Sequence, residues 1–121
     1  MNFVNKLLRD RFEILFNVCF VLAGLIVVIF FYDRIVLTSF LLIFITLIGL
    51  FKWRSFGSIF VFLFGALFGT LCEMIATSFG IWQYSVVSFF NIPFWLFILW
   101  GNTSLFLYRM GVEFGKLGIK K

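Results

Sequence analysis

Four long apolar stretches separated by short polar clusters dominate the chain. The first runs from Ile14 to Phe31, after the polar start MNFVNKLLRDRFE. Tyr32, Asp33 and Arg34 interrupt, and the second runs from Ile35 to Phe51. The cluster KWRS, Lys52 to Ser55, precedes a third stretch from Phe56 to about Phe79. A charge-free segment, GIWQYSVVSFFN, follows. The fourth begins near Ile92 and Pro93 and ends near Tyr108 and Arg109, and the tail MGVEFGKLGIKK is polar enough to leave a bilayer. A helix needs roughly 17–25 apolar residues to cross about 30 Å of hydrocarbon, and each stretch qualifies. The ten-residue alternation of barrel strands is not seen. The pattern predicts an all-α polytopic membrane protein built as a four-helix transmembrane antiparallel bundle. It is one domain over residues 1–121, with spans at about 14–31, 35–51, 56–79 and 92–109. Pro93 falls in the expected first turn of the fourth helix, where a missing N–H costs nothing.

Composition agrees. The 121 residues are 64% hydrophobic and 12% charged, with a mean hydropathy of +1.17, more apolar surface than a soluble domain of this size can bury. The first stretch resembles a signal peptide, but Tyr32, Asp33 and Arg34 follow it in place of a small-x-small cleavage site, which predicts a retained span.

The net charge of +5 is placed at the ends of the apolar stretches, which suits headgroups and not a nucleic-acid groove. Lys6, Arg9, Arg11, Lys52, Arg54, Arg109, Lys116, Lys120 and Lys121 fall on one predicted side, and Arg34 alone on the other. By the positive-inside rule both termini are expected in the cytoplasm, and the expected location is the cell membrane. Expected partners are the lipid bilayer and either further copies of the chain or a membrane partner subunit, with no nucleic acid. The absence of histidine argues against haem held by His and most zinc chemistry, and no metal or cofactor is expected. Cys19 and Cys72 have no metal-ligand spacing and read as apolar packing residues, not a disulfide.

One acid stands inside the third stretch. At 3.6 residues per turn Gly65, Gly69, Glu73, Ala76, Thr77 and Gly80 share a stripe, with Thr70 beside it. Gly65 and Gly69, in GALFG, form a small-xxx-small pattern that lets another helix come close. A charge at mid-membrane costs roughly 2.5–3.5 kcal/mol on insertion scales, so Glu73 should face protein or a water-filled cavity. It lies about 9 Å inside the outer end of its span, at 1.5 Å per residue. Trp95, Asn102 and Arg109 recur every seven residues on roughly one face of the fourth span. The expected polar cluster therefore opens outward and comprises Glu73, Trp82, Gln83, Tyr84, Arg34, Thr38, Trp95 and Asn102. Two readings of Glu73 stay open: a hydrogen bond to Asn102 or Trp100 that locks two helices, or an acid for proton transfer or ligand binding. On the second reading Glu73 is the catalytic acid, and Trp82, Tyr84, Trp95, Asn102 and Arg34 bind the ligand. Ile81, Trp82, Tyr84, Phe89 and Phe90 are expected at the outer headgroup level and Trp53 at the inner one. Arg109 reads as an interfacial anchor and Asn17 as a helix-packing hydrogen bond.

The segments Gly69-x-x-x-Glu73, Gly80-x-Trp82-x-Tyr84 and Pro93-x-Trp95, with Trp100 beyond, resemble the pattern of the carotenoid hydratase family and of related small integral membrane families. The resemblance covers about 30 residues, and those hydratases are longer, with more spans. It implies that Glu73 protonates an isoprenoid double bond while Tyr84 and Trp82 line the cationic intermediate. Three functions compete. The first is a protein that binds or modifies an apolar, isoprenoid-like or lipid-like substrate through Glu73. The second is a proton-coupled small-molecule transporter. Small multidrug transporters have a similar length and one membrane acid, but theirs lies in the first span. The third is a non-catalytic membrane subunit or assembly factor docking through the GALFG face.

Overall fold

The computed structural model describes residues 2–88 and 90–118. Four helices follow one another: α1 (Phe3–Phe31), α2 (Ile35–Trp53), α3 (Phe56–Ser78) and α4 (Trp95–Lys116). The protein is all-α, and α1, α2 and α3 are each long and apolar enough to cross a membrane. α4 is long enough, with 22 residues spanning about 33 Å. It falls outside that apolar set, carrying Asn102, Thr103, Ser104, Arg109, Glu113 and Lys116.

Local signals set the ends. Asn2 caps α1, its side chain accepting from the Asn5 N–H at 2.9 Å, so the helix starts well before Ile14 and includes the polar NKLLRDRFE segment. Arg54, left-handed at φ 46°, closes α2, and its N–H donates to the Leu50 carbonyl. Ser55 then caps α3 by accepting from the Ser58 N–H at 3.3 Å. The fourth helix differs from the expected span at both ends. Pro93 lies before it, and Phe94 is its N-cap, with the Phe94 N–H donating to the Ser88 hydroxyl. Its C-terminal end runs past Arg109 to Lys116, so most of the tail expected outside the bilayer is helix. The reason is packing: Glu113, only 1% exposed, and Leu117, 5% exposed, are buried against the rest of the protein.

α4 is the hub. It packs most extensively on α3 and also on α1 and α2; α1 packs on α2, and α2 barely meets α3. α1 and α3 do not approach each other closely. This arrangement explains the polar sequence of α4, since three apolar helices shield it while their own outer faces stay apolar. Phe30, Phe44, Phe51, Phe56 and Phe60 all point outward. Two buried clusters anchor α4: Leu42, Ile92, Trp95, Leu96 and Ile98 toward the α1–α2 connection, and Phe20, Trp53 and Leu105 toward the termini. Trp53, expected at the inner headgroup level, is the last residue of α2 and is buried in the protein, with its ring edge-to-face on Phe16 and Phe20. Cys19 and Cys72 are free, but both lie exposed on outer faces and not in helix packing.

The α3–α4 seam depends on glycine. A Cβ at Gly69 would run into the Trp100 indole, and one at Gly65 into the Ser104 side chain. On α4, a Cβ at Gly101 would strike the Phe62 ring. These small residues bring the two backbones close enough for dispersion contacts, the chief attraction between helices in lipid.

Candidate functional site

α3 ends on Ser78, and the chain turns at Gly80 in the left-handed region, φ 75°. The turn sends residues 81–84 back toward the helix end. There the carboxylate of Glu73 gathers two side chains from the loop. The Trp82 indole Nε1 donates to Oε2 at 2.7 Å, and the Tyr84 hydroxyl donates to the same oxygen at 3.0 Å. The Tyr84 ring meets the Trp95 indole edge-to-face at 6.3 Å. Trp95 is buried, and its Nε1 donates to the Tyr32 carbonyl near the end of α1. Glu73, Trp82, Tyr84 and Trp95 thus form one linked group across three parts of the chain.

The group borders a cavity of about 190 Å³ lined by Glu73, Tyr84, Leu96, Leu99, Trp100 and Thr103. The phenol of Tyr84 is pushed above its ordinary pKa, first by burial, then by its hydrogen bond to Glu73, then by the negative charge of that carboxylate. It therefore stays protonated and remains a donor near neutral pH.

No protein-family model, curated protein or solved structure matches this chain. The site must be read from its own chemistry.

The expected cluster divides in two. Asn102 does not meet Glu73. It is 2% exposed and bonded to α2: its Oδ1 accepts from the Thr46 hydroxyl at 2.6 Å, and its Nδ2 lies 3.5 Å from the Leu42 carbonyl. Helical spacing put Asn102 near the depth of Glu73, but α4 turns that face toward α2 while Glu73 lies on α3. The alternative lock between Glu73 and Asn102 fails for the same reason. Arg34 is exposed, caps α2 through its backbone carbonyl and makes no side-chain contact with the group. Thr38 is buried and donates to the Phe31 carbonyl, and Gln83 is exposed. Of the predicted headgroup-level aromatics, Phe89 lies outside the described residues, as do Lys120 and Lys121 of the charge tally.

Leu96, Leu99 and Thr103 are the cavity residues not anticipated from sequence. They recur with Trp100 at three- and four-residue spacing along α4, which is the available signal, but only the fold tells which α4 stripe faces Glu73. Toward the termini a second set of polar groups is buried. It includes Asp10 and Asn17 on α1, Ser58 on α3 and Glu113 on α4. Asn17 donates to the Met110 sulfur at 3.6 Å, and Lys116 pairs with Glu113 at 3.3 Å. Arg109 stacks over Trp53 at 5.5 Å and over Tyr108 at 5.9 Å. The Asn17–Met110 and Arg109–Trp53 contacts staple α4 to α1 and α2, while the Lys116–Glu113 and Arg109–Tyr108 contacts lie within α4.

Proposed function

We propose that the protein is a four-span antiparallel helix bundle of the cell membrane with cytoplasmic termini, and that it binds an apolar, isoprenoid-like or lipid-like molecule beside Glu73. One observation carries the reading: the Glu73 carboxylate of α3, held by two loop side chains, borders a cavity whose other walls are Tyr84, Leu96, Leu99, Trp100 and Thr103. A ligand pocket is mainly apolar with a few placed polar groups, and this wall has that character. The three segments of the carotenoid hydratase resemblance supply Glu73, Tyr84 and Trp95 to this one linked group, which favours an isoprenoid-like ligand over an arbitrary one. Binding is preferred to chemistry because, among the described residues, Glu73 is the single carboxylate of the cavity wall and no second acid or base of similar reach lines it.

An isoprenoid carrying a photoreactive diazirine, added to the protein in lipid vesicles, tests this. Labelling should concentrate on Tyr84, Leu96, Leu99, Trp100 and Thr103 and fall with unlabelled competitor. Labels spread over the outward phenylalanines, with no competition, would refute a specific site. Proton-driven uptake of small cations into the same vesicles would favour the transporter instead. A stoichiometric membrane partner that covers these residues would favour the subunit.

A further inference from the structure

The cavity beside Glu73 is too small for a whole lipid-like molecule. It encloses about 190 Å³, against roughly 300–1,000 Å³ for sites that take in a drug-sized ligand. What enters is a head group, and the remainder must lie outside.

The fold gives that remainder a path. Leu99 reaches toward α1, with its Cδ1 4.0 Å from where a Gly24 Cβ would stand, while Trp100 rests on Gly69 of α3. The cavity therefore sits over α4 between α1 and α3, the two helices that do not approach each other. Thr103, Leu107 and Gly111 continue down α4 at helical spacing, with Leu107 64% exposed. They form a strip leading away from Glu73, with Leu107 as its apolar side chain and both Leu107 and Gly111 exposed to the side.

The wall also has a chemical sign. Glu73 Oε2 already accepts from Trp82 and Tyr84, and Oε1 receives no hydrogen bond from the described residues. The Tyr84 proton is engaged on Glu73, and the Thr103 proton on the Leu99 carbonyl at 2.9 Å. All three oxygens can offer a ligand only lone pairs. No Lys or Arg pairs with Glu73 among the described residues. An anionic head would meet a carboxylate with no paired Lys or Arg among the described residues to offset it, and the Trp100 indole N–H as the one remaining donor among the lining side chains. A hydroxyl could satisfy one acceptor. An ammonium can satisfy several and cancels the charge, and the Tyr84 and Trp100 rings add cation–π attraction.

We infer that the site takes the ammonium head of a long-chain amine dissolved in the membrane, which enters sideways between α1 and α3 and lays its chain along Thr103, Leu107 and Gly111. This rests on the lipid-like ligand proposed above and adds the head group and the route.

Native mass spectrometry of the purified full-length protein, released from maltoside micelles, tests both additions. The probes are hexadecylamine, hexadecanol and hexadecanoate at equal concentration. The amine should be retained about tenfold or more over the other two, a gap of about 1.4 kcal/mol. Glu73→Gln should bring the amine down to the level of the alcohol, and Leu107→Trp, which blocks the strip, should weaken the amine while Glu73 is intact. The comparison of probes on the unmodified protein needs no variant, so it stands even if Glu73→Gln unfolds. Equal retention of alcohol and amine, or preference for hexadecanoate, overturns the ammonium head while leaving the lipid-like ligand in place. Unchanged amine binding in a folded Leu107→Trp protein overturns the lateral route. Failure of all three probes to bind overturns both this inference and the reading beneath it.

Discussion

Replacing Gly69 by alanine adds one methyl group at the tightest point of the α3–α4 seam, beside the cavity. The new Cβ would meet the Trp100 indole near its ring junction, with Cγ only 2.7 Å away, so the whole rigid ring must swing for the methyl to fit. Overpacking of this kind costs about 1–3 kcal/mol. Alanine also favours helix over glycine by about 1 kcal/mol, which would mask part of the effect. Gly111 supplies the control. It too lies within a helix, and a Cβ there meets nothing within 4 Å. The propensity gain is common to both substitutions, so the difference between Gly69→Ala and Gly111→Ala isolates the clash at about 1–3 kcal/mol. Reversible unfolding in mixed micelles, followed by circular dichroism, measures it. Gly111→Ala should be neutral or stabilising, Gly69→Ala destabilising, and Gly69→Ala should also weaken ligand retention because Trp100 is a cavity wall. Equal stability of the two variants would refute the close α3–α4 approach on which the site is built.

Three further outcomes follow from the same contacts. Trp82→Phe and Tyr84→Phe each remove one donor from Glu73 Oε2, so protease cleavage in the segment 80–90 should quicken in both, and quicken most in the double variant; unchanged cleavage would show that Glu73 does not hold the loop. Tyr84 is protonated beyond the ordinary tyrosine range of about 10, so its stabilising contribution is fully present below about pH 10 and is lost as pH rises through the higher folded value. An ultraviolet tyrosinate titration should therefore contain a late phase that Tyr84→Phe abolishes, and its persistence in that variant would assign it elsewhere. Asn102→Leu should cost under about 1 kcal/mol in the same unfolding assay, in line with average membrane hydrogen bonds, because the Thr46 proton freed from Asn102 can go to the Leu42 carbonyl 2.8 Å away. A loss several times larger would mean that Asn102 carries more than this bond.

Much of the helix content was legible because lipid leaves a chain few choices. Three apolar stretches, the third with Glu73 as its one interior charge, became three helices long enough to cross, and their connections fell at the polar clusters. The ends were less legible. Asn2 and Glu113 extend α1 and α4 through a cap and through burial, neither of which an apolar count detects. In the site, Glu73, Trp82 and Tyr84 are close in sequence, and one left-handed glycine suffices to join them. Asn102 was misplaced because depth along a helix says nothing about rotation around it, and rotation is set by which neighbour α4 meets on each side; Arg34 caps α2 from the α1–α2 connection with its side chain exposed. Thr103 carried no signal separate from the many other hydroxyls of the chain.

The hub position of α4 also bears on biogenesis. During synthesis α1, α2 and α3 leave the ribosome before the element they are built around exists. α1 and α3 have no close approach and α2 hardly touches α3, so the partly made chain has one helix pair and one helix waiting. The last helix is also the least apolar, and on the four-span arrangement proposed above its entry into lipid would be helped by docking on the three already there. Assembly should therefore be late and all at once, with the Glu73 cavity closing only when Leu96 to Thr103 arrive. A chain stopped near Asn91 would present α3 with its glycine seam bare, a natural signal for quality control to read.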